Sequence, residues 1–336
     1  MGLTATPETA VFTPLAGGVS SDIFRVDLGG RAFCLKRALP KLRVAADWRA
    51  PIERNRFEID YLSVGAQIVP GAFPALLGVD TDVGCFAMEY FDPQRYPPWK
   101  SLLRDGQIDV ATAHRIGDIL GRFHSATADK PELASHFATD ESFHALRLGA
   151  YLGAAAEAHP DFAEILNWLI DATMQSKRVL VHGDYSPKNI LIGPNGPVIL
   201  DAECAWFGDP AFDLAFVLNH LLLKGAWRPL WKLRYLECFG ALARAYFGHV
   251  DWEERTGLEA RVADLLPALM LARIDGKSPV EYITDEPTRG WVRDFALRFL
   301  GNPVARLFEL STAWQHFDPA RRARSPFVGT DKDFEP

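Results

Sequence analysis

The chain has 336 residues, 48% of them hydrophobic and 12% aromatic, which supports a large buried core and argues against intrinsic disorder. Its net charge of −7 argues against nucleic acid binding, for which a basic surface is expected. The length suits about two domains, and no apolar run approaches the roughly 18 residues that indicate a membrane span.

Strand patterns begin the chain. Residues 11–28, VFTPLAGGVSSDIFRVDL, predict a strand, a glycine-containing turn and a second strand. The glycine pair at 29–30 is a hairpin signal, and residues 31–38, RAFCLKRA, follow as a third strand. The alternation of residue types in this third strand is typical of a half-buried strand.

One helix and two more strands follow. Residues 52–67, IERNRFEIDYLSVGAQ, predict a helix whose apolar positions include Ile52 and Leu62. FPALLGVD at 73–80 and GCFAMEYF at 84–91 predict the fourth and fifth strands. The predicted order is therefore three strands, one helix and two strands.

The composition changes after residue 91. Residues 92–99, DPQRYPPW, hold three prolines and predict an extended connector. Residues 114–127 then place apolar residues at the i, i+3, i+4, i+7 spacing of a helix, and residues 162–175 repeat the pattern. From residue 212 the chain is predicted to be helical almost to its end.

A short polar loop separates two apolar runs in the middle of the chain. Residues 182–189 read HGDYSPKN, between RVLV at 178–181 and ILI at 190–192. Aspartate and asparagine are poor strand residues, and Pro187 would interrupt a strand ladder. The polar residues of this loop are therefore either turn formers or a site.

Two features nearer the N-terminus have residue types that bind phosphate. Residues 15–24, LAGGVSSDIF, contain a turn whose glycines would let backbone N–H groups approach an anion closely. Lys36 lies on the third strand, and Glu58 on the following helix could hold its ammonium group in place. Glu53 and Asp60 on the same helix are alternative partners.

The loop at 182–189 is followed by a second hairpin signal. PVIL at 197–200 can pair with the strand after the loop through the GPNG turn at 193–196, which would bring Asp201 beside Asn189. A hard cation such as Mg²⁺ takes oxygen ligands, often only one or two of them from the protein. Asn189 and Asp201 can supply these oxygens, which leaves Asp184 free to accept a proton.

These motifs form a specific combination. The loop has the pattern HGDxxxxN and is followed by LDAE at 200–203 and GDPAFDLA at 208–215, with GGVSSDIFRV at 17–26 and Lys36 at the other end of the chain. The chain resembles the aminoglycoside phosphotransferase and choline kinase group, small-molecule relatives of the protein kinases. The resemblance covers about residues 12–300.

The resemblance implies an α+β, two-lobed protein-kinase-like fold. Its N-lobe is an antiparallel sheet with one helix over residues 1–91, and its C-lobe is mostly helical over residues 92–336. ATP would bind between the lobes, with Mg²⁺ bridging its phosphates, and the γ-phosphoryl group would pass to a hydroxyl of a small molecule.

The resemblance also implies roles for the residues that match the kinase motifs. Asp184 matches the catalytic base, and Asn189 and Asp201 match the metal ligands. His182 and Asp213 are expected to brace the loop. The residues expected to bind ATP are Lys36 with its partner Glu58, then Gly17, Gly18, Ser20 and Ser21 of the turn, and Glu89 and Phe91 beside the adenine.

Two departures from the protein kinases bear on the substrate. HGD replaces HRD, and Ser186 stands where protein kinases have a lysine. Only eleven residues separate Asp201 from Asp213, too few for an activation loop. This favours a small hydroxylated metabolite as the acceptor, with an aminoglycoside or other antibiotic as the alternative. A nucleotide-binding pseudokinase scaffold is the alternative of another class, and the completeness of the motifs argues against it.

Some features leave more than one interpretation. Residues 273–283, RIDGKSPVEYI, either place Arg273, Asp275 and Lys277 at the substrate cleft or form a helix–helix loop in which Ser278 caps the next helix. In the cleft, Arg273 and Lys277 would repel a polycation. The sequence does not determine the roles of Glu203 and Lys188, the choice between ATP and GTP, or the oligomeric state.

The cysteines and the N-terminal segment predict a cytoplasmic location. Cys34, Cys85, Cys204 and Cys238 are too far apart in sequence for a CxxC pair and are expected to be reduced, buried, apolar residues. The N-terminal segment MGLTATPETAVF lacks the basic and apolar blocks of a signal peptide.

Overall fold

The computed structural model describes residues 1, 9–15, 21–41, 52, 54–81 and 83–317. Its strands are β1 (Val11–Pro14), β2 (Ser21–Leu28), β3 (Arg31–Ala38), β4 (Leu76–Asp80), β5 (Cys85–Glu89), β6 (Val179–Val181), β7 (Ile190–Gly193), β8 (Gly196–Ile199) and β9 (Trp206–Gly208).

Its α-helices are α1 (Arg54–Ile68), α2 (Trp99–Arg104), α3 (Val110–Thr127), α4 (Pro131–His136), α5 (Asp140–Phe143), α6 (Ala154–Ala158), α7 (Ala163–Gln175), α8 (Pro210–Trp227), α9 (Lys232–Phe247), α10 (Arg255–Asp275), α11 (Glu286–Gly301) and α12 (Leu307–His316). A π-helical segment, His144–Gly153, follows α5, and short 3₁₀ helices lie at Pro160–Phe162 and Pro229–Trp231.

The N-terminal part of the chain is one antiparallel sheet of five strands in the order β1-β2-β3-β5-β4. The predicted order of strands and helix is confirmed. The hairpin between β2 and β3 turns at the glycine pair 29–30, whose φ angles are +56° and +77°. Both angles are positive, as the favoured two-residue hairpin turn requires. The predicted turn between β1 and β2 falls on residues 16–20, outside the described residues.

Helix α1 turns a partly charged face toward the molecule's interior. Its buried residues include Arg54, Glu58 and Leu62. Ile52, which the apolar pattern had assigned to this helix, lies before it and is 47% exposed, so that assignment was wrong. The apolar pattern failed because the inner face of α1 lies beside a polar cleft and buries charges that have partners there.

The C-terminal part is built around α8, in which every residue from Pro210 to Ala226 is buried. The predicted helices at 114–127 and 162–175 are confirmed within α3 and α7. The predicted extended connector was only partly right. The N–H groups of Arg95 and Tyr96 both donate to the Asp92 carbonyl in a turn, and α2 begins at Trp99.

The predicted strands around residues 182–189 are present, together with one strand that was not predicted, β9. β7 and β8 pair as a hairpin with Ile190 opposite Ile199, as predicted. β6 instead pairs with β9, which the sequence pattern had not indicated. A three-residue strand is too short to show a period, and its pairing depends on residues far away in the sequence.

The loop between α10 and α11 differs from its predicted form. Asp285, not Ser278, caps the following helix, because its carboxylate accepts a hydrogen bond from the Thr288 N–H at 2.9 Å. The Ser278 hydroxyl instead accepts from Arg273 at 3.0 Å. The four cysteines are buried and free, as expected. Within the described part of the chain, no helix combines the length and apolar character that a bilayer crossing requires.

Candidate active site

A cavity of about 950 Å³ brings most of the predicted site residues together. Its walls come from the five-stranded sheet and α1 on one side, and from α2, α8 and the loop at 182–189 on the other. The predicted site residues that line it are Ser21, Lys36, Glu58, Glu89, Phe91, Asp184, Asn189 and Asp201.

The loop at 182–189 is fixed by buried hydrogen bonds. The carboxylate of Asp213, in the first turn of α8, accepts from the backbone N–H groups of His182 at 2.7 Å and Gly183 at 2.9 Å. Nδ1 of the His182 ring accepts a hydrogen bond from the Asp184 N–H at 3.1 Å. The ring proton is therefore on Nε2, which donates to the Leu200 carbonyl at 3.0 Å. Burial lowers the pKa of His182, which favours this neutral ring.

Gly183 is needed for the shape of this loop. Its φ is +75°, and a Cβ there would lie 2.6 Å from the Cys204 carbonyl oxygen. Gly84 has a similar φ of +61° but open space around it, so it provides a matched control.

Gly183→Ala is expected to destabilise the fold more than Gly84→Ala. Both substitutions place an alanine in left-handed backbone, at a cost of about 1–2 kcal/mol. Only at residue 183 does a collision with backbone add a further penalty of roughly 1–3 kcal/mol. Unfolding by urea measures the difference, and equal losses in the two variants would contradict this account of the loop.

Asp184 lies between two cations. Its Oδ2 is 3.0 Å from Arg147 Nη2 and 2.8 Å from Lys188 Nζ. Burial raises the pKa of Asp184, but the charges of Lys188 and Arg147 outweigh burial and hold this pKa well below its usual range. The carboxylate is therefore ionised at neutral pH and can accept a hydrogen bond from a hydroxyl.

Arg147 is a site residue that the sequence pattern did not indicate. Its guanidinium is buried and also donates through Nε to the Gly183 carbonyl. It lies in the π-helical segment His144–Gly153, which has no sequence link to the loop motif. The only available signal was a single arginine within an otherwise apolar stretch, LRLGAYL.

Lys36 is held by two carboxylates. Its Nζ is 2.7 Å from Glu58 Oε1 and also contacts Asp201 Oδ1. Burial lowers the pKa of Lys36, but Asp201 and Glu58 together raise it above its ordinary value, so the ammonium stays charged. Asp60, an alternative partner, is instead 2.7 Å from His136, and the other, Glu53, lies outside the described residues.

Asn189 and Asp201 lie where the β7–β8 hairpin opens. The Asn189 carbonyl accepts from the Leu200 N–H at 2.9 Å, and its side-chain Nδ2 donates to the Asp184 carbonyl at 3.0 Å. This orientation leaves Asn189 Oδ1 as an acceptor. Asp201 has an uncommon φ of +66°, and its carboxylate is 28% exposed.

An amide oxygen and a carboxylate oxygen fit a hard divalent cation such as Mg²⁺. No cluster of three His, Cys, Asp or Glu side chains suited to a metal occurs among the described residues. A cation held here would therefore take its other ligands from water or a bound phosphate.

Glu203 has a partner in α1. Its Oε2 is 3.0 Å from Arg54 Nε, and the arginine is buried. Glu203 also lines the cavity, two residues after Asp201 in sequence. This ion pair joins the segment after β8 to α1, the helix that presents Glu58.

Of the other residues predicted to bind ATP, only some lie within the described part of the chain. Ser21 lines the cavity, and its buried hydroxyl has no hydrogen-bond partner in the described part of the chain. Gly17, Gly18 and Ser20 lie outside the described residues. The Phe91 ring packs against Tyr96 with centroids 4.9 Å apart.

Glu89 also lines the cavity, but its carboxylate is exposed to solvent. It accepts from the Ala75 N–H at 3.4 Å. The backbone of Glu89 pairs with Phe33 in the sheet.

The segment 273–283 contributes to the cavity through residues other than those expected. Asp275 points elsewhere, to Arg293 at 2.6 Å and His159 at 2.9 Å, and Lys277 is exposed outside the cavity lining. Arg273 is held by Ser278. Ser278, Glu281 and Tyr282 line the cavity instead. Glu281 and Tyr282 lie beside Lys100, Lys224 and Trp227.

Comparison with known proteins gives one family and a matching fold. The model of the phosphotransferase enzyme family matches residues 11–258. A probable ketoamine kinase from Klebsiella aerogenes is 27% identical over 239 residues, which cover 63% of this chain and 74% of that protein. A methylthioribose kinase from Bacillus cereus is 24% identical, with 60% of this chain and 58% of that protein covered.

Among solved structures, the amicoumacin kinase hAmiN in complex with AMP-PNP, Ca²⁺ and Ami covers 91% of this chain and 92% of its own. The TM-score is 0.53 at 14% identity. The two-lobed kinase-like fold predicted from the sequence is thereby confirmed, and the matched part of the chain spans just over half of the methylthioribose kinase.

Proposed function

The chain belongs to the phosphotransferase enzyme family, and on that premise we propose that it transfers the γ-phosphoryl group of ATP to a hydroxyl of a small metabolite. One observation supports this most: a single cavity collects Lys36 with its Glu58 partner, the Asp184 loop, and the oxygens of Asn189 and Asp201. These are the groups that phosphoryl transfer needs for positioning and charge neutralisation.

Nucleotide binding is assigned to the sheet side of the cavity. The Lys36 ammonium, fixed by Glu58, would neutralise phosphate oxygens, and residues 88–91, which line the cavity, would receive the adenine. The hAmiN structure was solved with AMP-PNP, which supports an adenine nucleotide as the donor. We further propose that the two lobes divide near residue 91.

Magnesium is the cation that we propose for the oxygens of Asn189 and Asp201. When bound, it would supply positive charge to the phosphates of the nucleotide. Asn189 is oriented for this by its hydrogen bond to the Asp184 carbonyl, and Asp201 by its backbone conformation. The contact between Lys36 and Asp201 keeps the two charged groups in place.

Asp184 is proposed to orient the acceptor hydroxyl and to take its proton. The O–H bond breaks toward the carboxylate while the hydroxyl oxygen bonds to the γ-phosphorus, and the bond to the bridging oxygen of ADP breaks. Because the pKa of Asp184 is lowered, the carboxylate is a weak base that accepts the proton only as the new bond forms. His182 and Asp213 are assigned to loop support, and Arg147 and Lys188 to holding the carboxylate.

The acceptor is proposed to be a small hydroxylated metabolite. The name of the methylthioribose kinase supports a sugar-derived acceptor, and that of the probable ketoamine kinase supports a small metabolite. We also propose a cytoplasmic location, which the four free cysteines support.

The test is ADP release from Mg–ATP across aminoglycoside, choline-like and sugar-derived acceptors. We expect a sugar-derived acceptor to reach a kcat/KM of roughly 10⁴ M⁻¹s⁻¹ or above. Efficient turnover of aminoglycosides alone would replace the metabolite with an antibiotic. Binding of AMP-PNP with no turnover of any acceptor would favour a pseudokinase scaffold.

A further inference from the structure

One end of the cavity lies against α2, α8 and the loop before α11. We call it the acceptor end and define it by Lys100, Lys224, Trp227, Glu281 and Tyr282, all of which line the same cavity as Asp184. It adjoins the catalytic loop, because the Lys100 N–H donates to the Pro187 carbonyl at 2.8 Å. It is the side of the cavity opposite the strand that presents Lys36.

Lys224 is a buried cation without a carboxylate partner. Its side chain is on α8, and the residue is 1% exposed. The Nζ lies 4.6 Å from the centroid of the Tyr282 ring and 5.7 Å from that of Trp227. It makes no hydrogen bond or ion pair to any residue that the structure describes, and the nearby Glu281 carboxylate is 2.5 Å from Lys100 instead.

Tyr282 adds a second donor without an acceptor. Its hydroxyl is buried and has no hydrogen-bond partner among the described residues. An unpaired buried ammonium and an unpaired buried hydroxyl both lower the stability of the fold. Such groups persist at positions where a ligand completes them.

We propose that the acceptor carries an oxyanion, a carboxylate or a phosphate, which the Lys224 ammonium and the Tyr282 hydroxyl bind while Asp184 receives the hydroxyl to be phosphorylated. This inference rests on the proposed phosphotransferase function and narrows its substrate to a hydroxylated anion. Lys224 then determines specificity, since a buried ammonium repels the amino groups of an aminoglycoside. From the sequence, this repulsion was attributed to Arg273 and Lys277, but neither residue lines the cavity.

Helix α8 carries both Lys224 and the residue that holds the catalytic loop. Lys224 is eleven residues after Asp213, the residue that holds the catalytic loop. At about 1.5 Å per residue, the two Cα atoms are roughly 16 Å apart along the helix axis. Lys224 is therefore about three helical turns beyond the residue that holds the catalytic loop, and the oxyanion would be a group of the acceptor other than the hydroxyl that is phosphorylated.

The proposal also predicts a pH dependence. Burial, together with the charges of Lys100 and Arg104 and against that of Glu281, lowers the pKa of Lys224 to about 8. The ammonium is therefore charged at neutral pH and is lost as the pH rises through about 8. KM for an anionic acceptor is expected to rise above that pH, while KM for a neutral acceptor does not.

The experiment uses acceptors in matched pairs. Glycerate, ribonate and gluconate are compared with glycerol, ribitol and glucitol, while glycerol 3-phosphate and glucose 6-phosphate test phosphate as the oxyanion source. We expect the anionic member of at least one pair to have the higher kcat/KM. Lys224→Met should lower that value by about 10- to 100-fold, the range for a hydrogen bond to a charged group. Lys224→Arg should restore most of it.

Two controls separate binding from folding. Lys232→Met removes another lysine, whose Nζ lies 5.0 Å from the Trp291 ring centroid outside the cavity, and should leave acceptor preference unchanged. Lys224→Met should raise the melting temperature, because it removes an uncompensated buried charge. Tyr282→Phe keeps the ring and should weaken the anionic acceptor by a few-fold.

The outcomes distinguish this inference from the proposed function. Turnover of neutral acceptors or aminoglycosides alone would leave the kinase intact and overturn the oxyanion site. If no acceptor is turned over, calorimetry measures whether gluconate or glucose 6-phosphate binds to the protein. Binding that is abolished in Lys224→Met would support the oxyanion site, and the absence of binding would overturn it. Equal kcat/KM values for the anionic acceptor in the wild type and in Lys224→Met would also overturn it.

Discussion

Asp184→Asn is expected to lower kcat by about 10²–10⁴-fold, the usual cost of losing a general base. The amide keeps the size of the side chain but cannot take the proton of the acceptor hydroxyl. The affinity for AMP-PNP should stay within a few-fold, because Asp184 acts on the acceptor. Single-turnover measurements with saturating Mg–ATP separate the chemical step from binding.

The substitution also removes the negative charge between Arg147 and Lys188. Asp275→Asn is a matched control, since Asp275 pairs with Arg293 at 2.6 Å outside the catalytic cavity. That variant should keep its kcat even where its stability falls. Near-normal turnover by Asp184→Asn would remove this carboxylate from the mechanism, whereas a loss of AMP-PNP binding would indicate a damaged loop.

The parts of the site that the sequence predicts well are local. The loop at 182–189 and the β7–β8 hairpin lie within about twenty residues of each other, so turn residues and strand pairing determine how Asn189 and Asp201 meet. The order of strands and helix along the N-terminal part of the chain was predictable for the same reason. Lys36 and Glu58 needed the family resemblance, because three acidic residues of the helix were candidates.

The parts that the sequence did not predict depend on tertiary packing. Arg147 reaches Asp184 from a segment about forty residues earlier. Lys224 on α8 meets Tyr282 in the loop before α11. Neither contact has a spacing or a motif in the sequence. One forms when the π-helical segment packs against the loop at 182–189, and the other when α8 packs against the loop before α11. The buried charge of Arg54 on α1 was missed because periodicity assigns buried positions to apolar residues alone.

Asp201→Ala is expected to reduce kcat/KM for Mg–ATP by about 10³-fold or more. A bound metal contributes several kcal/mol of charge stabilisation during phosphoryl transfer, and each 1.36 kcal/mol is about a tenfold change in rate. The same substitution leaves Lys36 with Glu58 as its carboxylate partner, at 2.7 Å, so the lysine remains available to the nucleotide. Nucleotide affinity should therefore lose its dependence on magnesium without disappearing.

Calorimetry of AMP-PNP binding with and without Mg²⁺ measures that dependence. Because Asp201 has a φ of +66°, alanine at this position also adds backbone strain. Asparagine tolerates this conformation better than alanine, so Asp201→Asn should be tested beside Asp201→Ala. Asp129→Ala controls for the strain alone, since Asp129 has a φ of +52° and pairs with Arg178, outside the cavity lining. The metal assignment requires Asp201→Ala to lose the magnesium effect and Asp201→Asn, which keeps an oxygen without its charge, to weaken it, while Asp129→Ala keeps the effect. An unchanged magnesium effect in Asp201→Asn and Asp201→Ala would show that the cation is held elsewhere.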